Sequence, residues 1–165
     1  MKISATFDYA ATPDQVFAML VDAKFQDLKC IATGALSHSV SILASGGRTV
    51  IVSKREMPTD GFPDFVKGLV GATMAVTETQ DWGPAGADGA REGVLTVTIA
   101  AAPVDLAGTL SLAPAADGSV ESVDGDLRAR LPLIGSKIEK AAAPAVESAI
   151  DVERETGQAW LRRTS

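Results

Sequence analysis

The chain has 165 residues, a length that fits one domain spanning 1–165, and 46% of them are hydrophobic, enough for a substantial core. Its net charge of -6, with no basic block, argues against nucleic acid or an anionic membrane surface as partner. A single cysteine, Cys30, excludes an internal disulfide and a multi-cysteine metal site.

The first segment alternates. Ile3, Ala5, Phe7 and Tyr9 are apolar or aromatic, and Lys2, Ser4, Thr6 and Asp8 are polar, the period of two of a half-buried strand. It lacks the apolar run of a signal peptide, and no stretch reaches the ~18 apolar residues of a membrane span, so a cytoplasmic location and no integral membrane association are expected. Thr12-Pro13-Asp14-Gln15 is a capping box with proline at the first helical position, opening a short helix with Val16, Phe17 and Leu20 inward. A second helical piece is expected over Asp22 to Leu28, with Phe25 and Leu28 inward.

Leu36, His38, Val40 and Ile42 alternate as a second strand, and Ser45-Gly46-Gly47-Arg48 supplies the hairpin turn into a third, Thr49 to Glu56. Met57 to Gly71 is punctuated by proline and glycine and predicts a long connection holding one helical turn or two. Within it, Phe62 to Val70 reads equally as a gate or as an ordinary packed link. Strands follow at Ala72 to Trp82, around Leu95, Val97, Ile99 and Ala101, and around Leu106, Leu110 and Leu112. The glycine-rich tip Gly83 to Gly89 lacks the lysine and following helix of a phosphate cradle and reads as a loop. A seventh strand places Val123, Gly125, Leu127 and Ala129 on one face, and Pro132 ends the ladder.

Ser136-Lys137-Ile138-Glu139 is a second capping box. From it, apolar and small residues recur at helical spacing through Ala141, Ala142, Ala145, Val146, Ala149, Val152 and Trp160. A helix from Ser136 to Arg163 would be about 40 Å long at about 1.5 Å per residue. Pro144 removes one backbone N–H and predicts a bend, with the helix continuing beyond it. The order is strand, two short helices, six strands in hairpins and a long helix: an α+β chain with a seven-stranded antiparallel sheet.

That order resembles the helix-grip fold of the START-like (SRPBCC) superfamily, which includes the birch-pollen allergen, lipid-transfer START domains and polyketide cyclases. The segments Ala102-Pro103-Val104-Asp105-Leu106-Ala107-Gly108-Thr109-Leu110 and Leu131-Pro132-Leu133-Ile134-Gly135-Ser136-Lys137-Ile138-Glu139 resemble the signatures of a mainly actinobacterial branch of it, a domain of unknown function. The resemblance implies a curved sheet wrapped around the long helix and a cavity for apolar ligands.

The alanine stripe and the scarcity of bulky residues (five phenylalanines, two tryptophans, one tyrosine) predict an apolar pocket of a few hundred Å³ between helix and sheet. Expected ligand-contacting positions on the sheet are Phe7, Leu36, His38, Val40, Met74 and Val76. Phe62, Phe65, Val66 and Leu69 are placed at the mouth, and Ile138, Ala142, Ala145 and Ala149 on the helix.

His38 is the only histidine; it reads as a core side chain or as an acid/base group, with Cys30 as a conceivable dyad partner. Glu139 reads as a cap or as an acid at the cavity mouth, and Trp82 and Trp160 as core closure or as ligand walls. No catalytic set, metal site or cofactor motif is found. The leading expectation is a monomer or small homo-oligomer that binds or carries an apolar small molecule or lipid without catalysis. The alternatives are a cyclase or aromatase and a protein-interaction domain with a filled core.

Overall fold

The computed structural model describes residues 1–164. Strand β1 (Lys2–Tyr9) is followed by helices α1 (Pro13–Leu20) and α2 (Ala23–Ala32). Strands β2 (Ser37–Ser45) and β3 (Arg48–Pro58) form a hairpin, and the next connection carries α3 (Asp64–Val70). Then come β4 (Thr73–Trp82), β5 (Arg91–Ile99), β6 (Val104–Ala115), β7 (Gly118–Ala129) and the long helix α4 (Gly135–Thr164).

All seven strands lie in one antiparallel, curved sheet in the order β1-β7-β6-β5-β4-β3-β2. Only β1 departs from sequence order: it pairs with β7, Lys2 opposite Asp126 and Tyr9 opposite Ser119. The two short helices make this crossing from β1 at one edge to β2 at the other. The α1 cap forms as the sequence predicts: Gln15 N donates to Thr12 Oγ1 at 3.2 Å and Thr12 N to Gln15 Oε1 at 2.9 Å. Asp22 Oδ1 accepts from Lys24 N at 2.8 Å and starts α2. Gly46 and Gly47 take φ of 61° and 79°, the positive values that a tight hairpin needs.

The core lies between the sheet's inner face and the helices. Phe7, Leu110, Val123 and Leu127 from the sheet meet Val16 and Leu20 of α1, Phe25 of α2 and Ile138 of α4. Phe25 stands edge-on to Trp160, their centroids 5.9 Å apart, and fastens α2 to the far end of α4. Gly157 lets α4 come this close to β1, because a Cβ there would meet Tyr9 Oη at 2.8 Å and Met19 Cε at 3.0 Å.

Several local expectations are corrected. Helix α2 runs four residues past Leu28, and Leu28 is exposed; the inward positions are Phe25, Gln26, Lys29 and Cys30. Leu36 is 63% exposed rather than inward, because it precedes β2 at the sheet's free edge, where no further strand covers it. Helix α4 begins at Gly135, ahead of Ser136: Gly135 N already bonds to Leu131 O at 2.9 Å and Ile138 N to Ile134 O at 3.0 Å. The second capping box is absent. Glu139 Oε1 instead accepts from Ala129 N at 3.0 Å, and Oε2 sits 3.5 Å from the N-terminal ammonium, so Glu139 clips α4 to the end of β7. Helix α4 continues through Pro144 as expected. No helix among the described residues is long and apolar enough to cross a membrane.

Candidate functional site: a cavity between sheet and long helix

A cavity of about 420 Å³ lies between the inner face of the sheet and α4. Its walls come from period-two faces of the strands: Phe7 of β1, Met74 and Val76 of β4, Leu95 and Val97 of β5, Leu106 and Leu110 of β6, Val123 of β7. The β3–α3 connection contributes Gly61 and Phe62, and α3 adds Val66, Leu69 and Val70. Helix α4 adds Ile138, Ala142, Ala145, Val146, Ala149 and Val152, which recur every three or four residues along one face. Alanine at three of these positions leaves open the volume that larger side chains would occupy.

Ala32, Gly61, Ala145 and Ser148 line the cavity and are also exposed, so it opens where the end of α2, the β3–α3 connection and α4 border it. One tie across this side is Lys137 Nζ, 4.4 Å from the centroid of the Phe65 ring.

Of the expected positions, Phe7, Phe62, Val66, Leu69, Met74, Val76, Ile138, Ala142, Ala145 and Ala149 come together on the wall. Leu36, His38, Val40 and Phe65 do not line it. His38 and Val40 sit half-buried on β2, the edge strand. His38 Nε2 lies 3.0 Å from Asp27 Oδ1 at the surface. Cys30 is buried, and burial pushes its thiol up, away from the thiolate that a nucleophile requires.

The wall has one strongly polar region, which the sequence reading missed. Lys29 Nζ donates to Glu78 Oε1 at 2.8 Å and to Glu153 Oε2 at 2.9 Å. Arg55 Nη2 donates to Glu78 Oε2 at 2.9 Å, and Nη1 reaches Thr33 Oγ1 at 3.4 Å. Gln80 Nε2 donates to Glu78 Oε1 at 3.0 Å, and Gln80 Oε1 accepts from Trp82 Nε1 at 3.0 Å. The network thus joins α2, β3, β4 and α4. The signal was in the alternation: Glu78 and Gln80 continue the inward parity of Met74 and Val76, and Arg55 that of Ile51. Glu153 falls four residues after Ala149 on the alanine face.

Charges in this region are held ionised by each other. Burial pushes the Glu78 carboxyl up, but Lys29 and Arg55 more than offset it and hold it down at about 2. Burial pushes Lys29 down, but Glu153 and Glu78 overcome this and raise it above the ordinary lysine value. Glu78 at about 2 is a weak base at neutral pH.

Behind the network lies a second buried acid, Glu121 on β7, 0% exposed. Its carboxyl is pushed well above the usual range by burial and then by the charge of Glu153. Tyr9 Oη lies beside it, without the geometry of a full hydrogen bond. Both effects favour the protonated form of Glu121.

Among the described residues no group of three or more His, Cys, Asp or Glu side chains could hold a metal ion. A second hollow, about 400 Å³, lies at the base of the β4–β5 hairpin between Arg48, Pro84, Arg91 and Glu92. Three of these four side chains are charged, and it lacks the apolar walls of the first.

Solved structures share this architecture. An aromatase/cyclase, ZhuI, from Streptomyces sp. R1128 superposes with a TM-score of 0.62 at 14% identity, covering 99% of this chain and 94% of that one. A START superfamily protein from Mycobacterium smegmatis superposes with a TM-score of 0.53 at 12% identity, covering 99% of both chains. The chain has the helix-grip START-like fold. In sequence it is 24% identical over 166 residues to the uncharacterised protein Rv0481c of Mycobacterium tuberculosis, covering 93% of this chain and 92% of that protein. The family described as "Protein of unknown function (DUF2505)" matches residues 4–161, and the chain belongs to that family.

Proposed function

We propose that this chain binds and carries a hydrophobic small molecule, lipid-like or polycyclic, in the cavity under α4. The observation that carries this reading is the cavity itself: about 420 Å³, open at one side, and walled by apolar side chains except at the Lys29–Glu78–Arg55–Glu153 network. That volume lies in the lower part of the range of drug-sized ligand sites, roughly 300–1,000 Å³. A ligand in an apolar space of this size gains dispersion contacts with its walls. The START superfamily protein and the aromatase/cyclase that share this fold support its use around a small molecule, by analogy.

Carriage is favoured over proton-transfer chemistry by the pairing of the polar wall. Glu78 accepts from three side chains and Glu153 is bridged to Lys29, so neither carboxylate is poised to take a proton from a substrate. The test is a fluorescence titration of the native chain with N-phenyl-1-naphthylamine, an apolar dye that brightens on leaving water. Saturable binding at one site per chain is expected. Absence of saturable binding to the folded chain would overturn the carrier reading.

A further inference from the structure

The polar region of the cavity wall is balanced in charge but has a surplus of hydrogen-bond donors. Lys29 and Arg55 face Glu78 and Glu153, two cations against two anions. Burial pushes the carboxyl of Glu121, the remaining buried acid nearby, up towards its protonated form. The donors are not balanced. A guanidinium carries five N–H groups and an ammonium three. Arg55 uses one on Glu78 and one, at 3.4 Å, on Thr33, which leaves a second N–H on each terminal nitrogen, while its Nε is fully buried and without a partner. Lys29 uses two of its three. Arg55 is 6% exposed and Lys29 2%, so bulk water does not readily serve the unused donors. Both residues line the cavity.

We infer that this region selects an uncharged ligand carrying an oxygen acceptor, such as a ketone, quinone, ester or amide, on an apolar skeleton. The acceptor oxygen takes N–H groups that Arg55 and Lys29 leave unused, and the skeleton lies along Phe7, Val76, Ala145 and Ala149. A buried donor without a partner is costly, so an acceptor that supplies one gains more here than at the surface. A carboxylate or sulfonate would meet the same donors but would add an uncompensated negative charge to a region already neutral and largely shut off from solvent. A skeleton without oxygen would leave the donors as they are. This inference rests on the carrier reading and adds to it the class of head group.

Three naphthalene probes separate the outcomes: 6-propionyl-2-(dimethylamino)naphthalene, an uncharged ketone; N-phenyl-1-naphthylamine, which has no oxygen; and 8-anilinonaphthalene-1-sulfonate, an anion. The native chain is expected to bind the ketone at least tenfold more tightly than the other two. Bound-ketone emission should lie to the red of its emission in alkane, the signature of a hydrogen-bonded carbonyl. Arg55→Lys keeps the cation beside Glu78 and removes the fork of unused N–H groups, and the ketone preference is expected to fall by tenfold or more. Equal binding of the ketone and the oxygen-free dye would overturn the acceptor selection while leaving the carrier reading standing. Tightest binding of the sulfonate would overturn the charge argument. Binding of none of the three would overturn the carrier reading and this inference with it. Should circular dichroism show Arg55→Lys unfolded, the ranking of the probes on the native chain decides alone.

Discussion

Lys29 on α2 and Glu153 on α4 form an ion pair of 2.9 Å in which the lysine side chain is 2% exposed. The same ammonium is 2.8 Å from Glu78 on β4, so one cation holds two helices to the sheet. Removing it strands Glu153 beside a mostly apolar cavity and leaves Glu78 with Arg55 as its one cation. Lys29→Met is expected to destabilise the fold by about 3–5 kcal/mol, the usual cost of breaking a buried pair from one side. The double change Lys29→Met, Glu153→Gln, which leaves Arg55 paired with Glu78, should recover part of that loss. Urea denaturation of the variants checks both; a loss under about 1 kcal/mol for Lys29→Met would show that the network is dispensable.

Glu78 and Glu121 give stability opposite dependences on pH. Glu78 has a folded value of about 2, below its unfolded value of roughly 4.3, so its contribution is present above that unfolded value and is lost as pH falls towards 2. Glu121 is raised by burial, so its contribution is present below roughly 4.3 and is lost as pH rises through its folded value. Glu121→Gln removes the second dependence. The variant is expected to gain stability relative to the native chain as pH rises from 4 to 8. Urea midpoints at several pH values measure this, and a difference independent of pH would contradict the assignment.

Ala145 lines the cavity near its mouth and is exposed. Ala145→Leu should leave stability within about 1 kcal/mol of the native chain, where a filled interior would lose ~1–3 kcal/mol by overpacking. It should also lower the affinity for N-phenyl-1-naphthylamine at least tenfold. Thermal melts and dye titrations of the same sample report the two effects together.

Pro144 is exposed inside α4 and leaves the carbonyl of Lys140 without its helical partner. The exposed ring is no part of the core, so Pro144→Ala should restore the bond and stabilise the chain by about 1–3 kcal/mol. An unchanged urea midpoint would mean that a local bend already compensates for the missing bond.

Much of the fold was legible because it is written in period. Strands β1 and β7 alternate cleanly, Thr12 and Gln15 spell the α1 cap, and the alanines of α4 repeat at helical spacing. The apolar cavity wall followed from the same alternation, which is why Phe7, Met74 and Val76 were placed on it. The polar region was not foreseen, since a charged residue on a strand is ordinarily assigned to the wet face. Arg55 and Glu78 sit on the dry face because they neutralise each other and Lys29, a relation between α2, β3 and β4 that no local window contains. Glu139 misled for the converse reason. Its spacing from Ser136 suits a cap, but the nearby end of β7 offers the Ala129 N–H, and the carboxylate takes that instead. Leu36 kept the right parity and lost its cover at the sheet's edge.

Native mass spectrometry decides whether the cavity holds a hydrophobic molecule. The folded chain would be incubated with a lipid extract of its host cells, desalted and sprayed from ammonium acetate, with Ala145→Leu treated in parallel. The expected result is an adduct of one drug-sized, uncharged, oxygen-bearing molecule per native chain and a sharply reduced adduct on Ala145→Leu. A native chain that stays at its bare mass, or adducts of equal intensity on both proteins, would contradict the carrier reading.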